Sequence, residues 1–201
     1  MIYVGIDPGV KGGLAAIDQY APRQVLIMPF EKFSFSDISY QFKTWRESDT
    51  QVHVLLENPS LPMFNRHSQN NFSVQAYTKL YRSIGVLEGI SIAHNYIPEK
   101  ISPIKWQNRL NCRTGGDKKV THRRANELFP FLFRRTKAGD RKSIVTHAVA
   151  DALLIALYNY LDHADPQYII REWKNILPHI QKPKVVKKLP KRTVIRKTVI
   201  E

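Results

Sequence analysis

The first thirty residues alternate between short apolar runs and polar breaks. Apolar or β-branched residues dominate positions 2–6, 13–17 and 24–29, while the breaks at 7–9 and 20–23 contain proline. Runs of this length, bounded by such breaks, are typical of β-strands. Because the connections between them are short, we expect the three strands to form an antiparallel meander.

Helical periodicity begins after this meander. Ile38, Phe42 and Trp45 share one face of a predicted helix over 35–47, which Ser34 or Ser36 would cap. The pattern along the rest of the chain predicts strands over 52–56 and 96–101, helices over 72–93, 120–128, 144–161 and 167–177, a short helix at Trp106, and basic loops over 113–118 and 136–143.

This order of elements predicts an α/β fold in which a mixed five-stranded sheet is flanked by helices, and it fits an RNase H-like domain. We expect residues 1–164 to form this domain and residues 165–181 to form a C-terminal helix. Residues 182–201 carry eight lysines and arginines against one acid, Glu201, with two prolines among them. That composition predicts a basic, mostly disordered tail.

The net charge of the chain indicates what kind of molecule it binds. The 201 residues include 31 Lys and Arg against 17 Asp and Glu, a formal net charge of +14. An excess of this size favours nucleic acid over an anionic lipid surface or no polyanionic partner. Cys112 is the only cysteine, which excludes an intrachain disulfide and suits a reducing cytosol. Asp7 interrupts the opening apolar run and no uncharged stretch could span a bilayer, so we expect a cytoplasmic, nucleoid-associated protein.

Three acidic residues occupy positions where a charge is costly unless it is coordinated. Asp7 ends the first strand, Glu57 ends the fourth, and Asp151 interrupts an otherwise apolar helix. His147 precedes Asp151 by four residues, which places both side chains on one helix face. These four groups could hold two Mg²⁺ or Mn²⁺ ions for the hydrolysis of phosphodiesters.

Most of these positions also have a simpler explanation. Asp7 could form an Asx turn with the Pro-Gly that follows it, Glu57 could be a solvated strand end, and His147 could belong to a helix start. Asp151 is the hardest to explain in this way, because its neighbours are apolar. Around Asp7, we expect glycines 9, 12 and 13 to leave room for a metal and a DNA backbone.

Several motifs resemble, in order, those of the RuvC-type Holliday junction resolvases, especially the smaller forms encoded by phages. The resemblance extends from residue 1 to about residue 160. Its motifs are Ile-Asp-Pro-Gly at 6–9 with glycines at 12 and 13, Leu-Glu-Asn-Pro at 56–59, the small-residue helix at 84–89, Ile-Ser-Pro-Ile-Lys-Trp at 101–106, Asp-Lys at 117–118 before 125–130, and Ala-Asp-Ala-Leu-Leu-Ile-Ala at 150–156.

The resemblance implies an RNase H-like fold, a homodimer, and a Mg²⁺ or Mn²⁺ endonuclease that nicks two strands of a four-way DNA junction symmetrically. It implies that Asp7, Glu57 and Asp151 are the metal-binding acids and that Lys118 is a loop lysine that stabilises charge on the phosphate. A virus-encoded protein acting in its host cell would fit this resemblance.

One position departs from the family pattern. The family often has an acid or a histidine three residues before the last aspartate, where this chain has Ala148. His147 is our candidate for the missing ligand, because four residues also keep one helix face. Asp140, in the preceding loop, is a weaker candidate.

DNA contacts are predicted from basic clusters and from one apolar side chain. Phe64 follows Glu57 in a loop and could wedge into an opened junction centre, although capping the core is an equal alternative. Glycines 85 and 89 of the predicted helix over 72–93 would allow close approach in a dimer. The predicted phosphate contacts are Arg66, Arg113, Lys118, Lys119, Arg123, Arg135, Lys137, Arg141 and Lys142.

Three alternatives follow from the same residues. One is a nuclease of the same fold that acts on flaps, forks or RNA–DNA hybrids. Another is a DNA-binding relative without catalysis. The third is an actin-like ATPase, suggested by the Asp-Pro-Gly at 7–9, but that fold needs two such domains and 201 residues are too few.

Overall fold

A mixed sheet of five strands organises the protein. The computed structural model describes residues 1–59, 74–115, 117–135 and 141–174. The sheet has the order β3-β2-β1-β4-β5. Its strands are β1 (Ile2–Asp7), β2 (Gly13–Asp18), β3 (Val25–Pro29), β4 (Val52–Glu57) and β5 (Glu99–Ile101). The first three pair antiparallel, as the short connections predict, whereas β4 is parallel to both β1 and β5.

Helices cover both faces of this sheet. The helices are α1 (Phe35–Glu47), α2 (Val74–Ala93), α3 (Pro103–Arg109), α4 (Lys119–Leu128), α5 (His147–His163) and α6 (Arg171–Lys174), with a 3₁₀ turn at Pro166–Tyr168. Alternate residues of each strand face opposite layers. Tyr3 packs in the core with α5, while Val4 and Ile6 pack in the core with α1 and α2. The predicted α/β arrangement of a mixed five-stranded sheet flanked by helices is therefore confirmed.

The central helix α5 lies unusually close to the central strand β1. A Cβ atom on Gly5 would stand 2.1 Å from the backbone nitrogen of Ala156 and 2.6 Å from the carbonyl oxygen of Ala152. Glycine on the strand and alanine on the helix thus let the two backbones approach one another. This packing sets the distance between α5 and β1, and with it the position of polar side chains of α5, such as Asp151, relative to the sheet.

Two element predictions were wrong in part. The basic stretch predicted as a loop over 136–143 includes a strand, β7 (Arg141–Ser143), which pairs with β6 (Phe133–Arg135). Such short, highly charged strands lack the apolar alternation by which strands are recognised in a sequence. The helix predicted from residue 144 begins at His147, because Ile144 is held by its backbone bond to Leu132 and Thr146 is extended.

Other boundaries differ less. Strand β5 is shorter than the predicted 96–101, and Ser34, not Ser36, caps α1. The predicted helix over 167–177 is replaced, as far as residue 174, by the 3₁₀ turn and α6. The predicted tail at 182–201 lies outside the described residues, and the proposed domain boundaries remain predictions. None of the helices within the described ranges is both long and apolar enough to cross a membrane.

Candidate active site

Asp7 stands at the end of β1 in a turn built around its own carboxylate. Its Oδ1 accepts a hydrogen bond of 2.9 Å from the backbone nitrogen of Gly9, which is the Asx turn foreseen as an alternative. A Cβ on Gly12 would stand 2.1 Å from the Asp7 carbonyl oxygen and 2.9 Å from its Cγ. Gly12 therefore makes room for Asp7 itself, a nearer neighbour than the DNA backbone that we expected it to accommodate.

Glu57 lies at the same edge of the sheet. Strands β1 and β4 are parallel neighbours with Ile6 opposite Leu56, so their carboxyl ends meet. The indole nitrogen Nε1 of Trp106 donates a hydrogen bond of 2.8 Å to Glu57 Oε1. Because Trp106 is fully buried on α3, Glu57 is held against the protein interior and is not a freely solvated strand end.

Asp151 comes to this edge from the first turns of α5. Its Oδ1 is buried and has no hydrogen-bond partner among the described residues. The side chain of Thr121, a buried residue of α4, lies near the same carboxyl group and lowers its pKa. An unpartnered buried carboxylate oxygen is costly, and a bound cation would remove that cost.

The three carboxyl groups are close enough to affect one another's ionisation. Burial, followed by the charge of Asp151, raises the pKa of Asp7 to about 6. Burial, followed by the charge of Asp7, raises the pKa of Glu57 to about 8. The pKa of Asp151 is raised chiefly by burial, against the opposing effects of Thr121, Lys118 and His147. Like charges gathered in a partly desolvated site are the arrangement that a divalent cation stabilises.

Lys118 is the cation common to this group. It is exposed at the N-terminus of α4, and its charge lowers the pKa of all three carboxyl groups. It therefore lies near the carboxylates while its ammonium group remains accessible to solvent.

His147 is exposed at the start of α5, and its charge lowers the pKa of Asp151, so the two residues are neighbours as their spacing predicts. The ring of His147 lies 4.2 Å from that of His122, centroid to centroid. His122 in turn contacts the carbonyl oxygen of Val145 through Nε2 at 3.0 Å. His147 thus packs against the ring of His122, which is itself held by a hydrogen bond. The weaker candidate, Asp140, lies outside the described residues.

An open groove of about 690 Å³ runs beside the carboxylates. Its charged and polar lining consists of three lysines, one acid and two further residues at the start of α5: Lys11, Lys32, Lys118, Glu31, Thr146 and His147. Lys11 and Lys32 come from the turns on either side of β2 and β3, and the sequence analysis did not single them out. Cations along a groove next to a carboxylate cluster suit a polyanionic chain.

The other predicted DNA contacts fall into three groups. Arg113, Lys119, Arg123 and Lys142 are exposed. Arg135 and Arg141 lie opposite each other on β6 and β7. Phe64, Arg66 and Lys137 lie outside the described residues. The DNA-contact predictions therefore remain predictions, with four side chains shown to be accessible.

Arg124, next to the predicted contacts, has a structural task. Its Nε donates a hydrogen bond of 2.8 Å to the carbonyl oxygen of Leu110, and its Nη1 donates one of 2.9 Å to Glu127 Oε2. The first contact ties α4 to the end of α3, and the second is an ion pair within α4. We therefore do not count Arg124 among the phosphate-binding candidates.

Sequence reasoning missed two residues of this site, Trp106 and Thr121. Trp106 is noticeable as a tryptophan in a short polar helix, but nothing in the sequence pairs it with Glu57, which precedes it by 49 positions. Thr121 carries no pattern of its own. Only the packing of α3 and α4 against the sheet and α5 brings their polar atoms to the carboxylates.

No protein family and no curated protein matches the sequence. Among solved structures, the chain is similar to RuvC of T. thermophilus in complex with a Holliday junction substrate, at 16% identity and a TM-score of 0.45, covering 81% of this chain and 95% of that one. A second structure, of Thermus thermophilus RuvC, matches at 16% identity and a TM-score of 0.43, covering 81% and 96%. At this identity the similarity concerns the arrangement of secondary structure, so the chemistry of this chain has to come from its own side chains.

Proposed function

We propose that this chain is a Mg²⁺- or Mn²⁺-dependent endonuclease that acts on branched DNA and cuts four-way junctions by paired, symmetric nicks. One observation carries the proposal: Asp7, Glu57 and Asp151 arrive from three separate elements, the charge of Asp151 raises the pKa of the other two, and a buried Asp151 oxygen has no hydrogen-bond partner among the described residues. Hard carboxylate oxygens in this number are the ligands that Mg²⁺ and Mn²⁺ prefer.

Asp7, Glu57 and Asp151 would hold the metal, and His147 is our candidate to complete the ligand set. Divalent ions bound there would supply activation of water and stabilisation of the leaving oxygen. Trp106 orients the Glu57 carboxylate through its indole N–H, and the Asx turn orients that of Asp7. These contacts hold the two carboxylates in place before any substrate binds.

Lys118 would act on the phosphate. Its ammonium group is exposed beside the three carboxylates, where it can offset negative charge that builds up on the phosphodiester. Lys11 and Lys32 line the adjoining groove and would hold the backbone on either side of the cut. Because such contacts read charge and not bases, the enzyme would select its substrate chiefly by shape.

The choice of a four-way junction is supported by the ordered motifs shared with RuvC-type resolvases. A junction cut at two phosphates related by symmetry requires two active sites related by a two-fold axis, and hence a homodimer. Helix α2 offers a surface for it, since a Cβ on Gly85 or Gly89 would meet no described atom within 4 Å.

The proposal is tested by incubating the full chain with a synthetic four-way junction and Mg²⁺ or Mn²⁺, and mapping the cuts. We expect symmetric paired nicks, which Asp7→Asn abolishes while junction binding is kept. Asp162→Asn, on the outer side of α5 and paired with Arg109, is the matched control and should cut normally. Preferential cutting of a flap or an RNA–DNA hybrid would replace the junction with that substrate, and binding without any nicking would overturn the catalytic proposal.

A further inference from the structure

A second cluster of potential metal ligands lies at the opposite end of β4 and α5 from the carboxylates. One ring nitrogen each of His53 and His163 and one carboxylate oxygen of Glu99 all lie within 4.8 Å of one another. His53 is near the start of β4, about 13 Å along the strand from Glu57. His163 ends α5, about 18 Å along the helix from Asp151.

A buried amide decides which ring nitrogen of His53 carries a proton. The Nδ2 group of Asn159, which is fully buried, donates to the carbonyl oxygens of Val4 and of His53, both at 2.9 Å. The Asn159 Oδ1 therefore faces His53 Nδ1, at 2.6 Å. Since an amide oxygen only accepts hydrogen bonds, Nδ1 of His53 carries the proton. In a neutral ring this leaves the lone pair on Nε2, which lies 3.2 Å from Glu99 Oε1.

His163 is oriented in the same way. Its Nδ1 lies 3.1 Å from the backbone carbonyl oxygen of Asn159, which can only accept, so Nδ1 carries the proton and Nε2 the lone pair. The rings of His53 and His163 are 4.1 Å apart, centroid to centroid, so the two imidazoles lie side by side. The Nε2 lone pairs of His53 and His163 and the carboxylate of Glu99 are therefore close enough together to bind one cation.

We infer that His53, Glu99 and His163 form a zinc site, separate from the proposed active site. Two imidazoles and one carboxylate suit Zn²⁺, whereas the proposed active site, with three carboxylates and one candidate imidazole, suits Mg²⁺ or Mn²⁺. Both histidines donate their other N–H to an oxygen, which is the usual support of a metal-bound histidine. A tetrahedral zinc with bonds of about 2.0 Å would bring the ligand atoms to about 3.3 Å from one another, and a rotation of the exposed Glu99 side chain would close the difference from their present separations of up to 4.8 Å.

The ion would act as a clamp on the edge of the sheet. Glu99 begins β5, an edge strand held to β4 by three residue pairs. His53 is on β4 and His163 is on α5, so one ion would join three elements. Strand β5 leads directly into α3, whose Trp106 contacts Glu57. Zinc would thus stabilise the support of Glu57 without touching the reacting atoms.

The test uses the full chain carrying Asp151→Asn, which weakens metal binding at the other centre. We expect one equivalent of Zn²⁺ to raise the melting temperature, and Mg²⁺ not to do so. Co²⁺ should give the intense visible absorption of a tetrahedral site. His163→Ala and Glu99→Gln should each weaken zinc binding at least tenfold, while His94→Ala, a histidine on the far side of the sheet, should not.

The alternative to a bound zinc is an ion pair between a protonated His53 and Glu99. In that case Glu99→Gln would lower the melting temperature equally with and without Zn²⁺, and Co²⁺ would show only weak absorption. Either result, or a zinc response that survives His163→Ala, would overturn the zinc site. Because Glu99 and His163 are both exposed, these variants should fold even if a substitution at the half-buried His53 does not.

Discussion

At the scale of single residues, the carboxylates work against the stability of the protein that holds them. Asp151 is half-buried, and its Oδ1 has no partner within the described part of the chain. Burial raises its pKa, which means that folding disfavours its charged form. An amide of the same shape does not carry this charge.

We therefore expect Asp151→Asn to raise the stability of the metal-free protein at pH 8 by about 1–2 kcal/mol, while abolishing metal-dependent nicking. Thermal unfolding in EDTA measures the first effect and junction cleavage the second. Asp162→Asn is the control, because Asp162 forms an ion pair of 2.7 Å with Arg109 and its replacement should not stabilise the fold. A drop in melting temperature for Asp151→Asn would contradict this account.

Trp106→Phe isolates the hydrogen bond to Glu57. The ring stays in the core but the N–H donor is lost, and that donor lowers the pKa of Glu57. We expect the pKa of Glu57 to rise further, so that the pH profile of nicking moves to higher pH and the rate at pH 7 falls about tenfold. Trp45→Phe, in the opposite layer of the core, should leave the profile in place.

At the scale of elements, the contact between α5 and β1 depends on Gly5. A Cβ at this position would collide with backbone atoms of Ala152 and Ala156, which cannot move as a side chain can. We expect Gly5→Ala to destabilise the protein by about 3 kcal/mol or more and to lower its melting temperature by several degrees. Gly85→Ala is the matched control: the site is open and lies within α2, so alanine should be neutral or stabilising there.

How far elements could be predicted depended on the patterns that they carry. The meander of β1–β3 and the helix α1 were predicted correctly because apolar periodicity and turn residues are local signals. The hairpin of β6 and β7 was missed because its strands, Phe133–Arg135 and Arg141–Ser143, are mostly charged. Tertiary pairing, and not the local sequence, makes them strands.

At the scale of the whole molecule, the raised pKa values link stability to pH. Asp7, with a pKa of about 6, and Glu57, with a pKa of about 8, bind protons more tightly in the folded state than in the unfolded state. Their contribution to stability is therefore complete below about pH 4 and is lost as the pH rises through 6 and then 8.

We expect the melting temperature of the metal-free protein to fall between pH 5 and pH 9, and saturating Mg²⁺ to remove most of this fall, because bound metal takes the place of the protons. Unfolding measured in EDTA and in Mg²⁺ across this range checks the expectation. Asp7→Asn should flatten the metal-free curve near pH 6. A melting temperature that rises steadily with pH in EDTA would exclude these shifts.

The sequence alone was enough to select the three carboxylates as candidates, to show the basic character of the chain and to predict most of its elements in their order along the chain, because each depends on local patterns or on composition. Only the tertiary structure decided that Trp106 holds Glu57, that Thr121 lies near Asp151, and that His53, Glu99 and His163 meet at the far end of α5. These contacts join residues that are far apart in the chain, and they exist because α3 and α5 pack against the sheet at one particular depth. Local patterns carry no information about that depth, which is set by close-packed pairs such as Gly5 and Ala156.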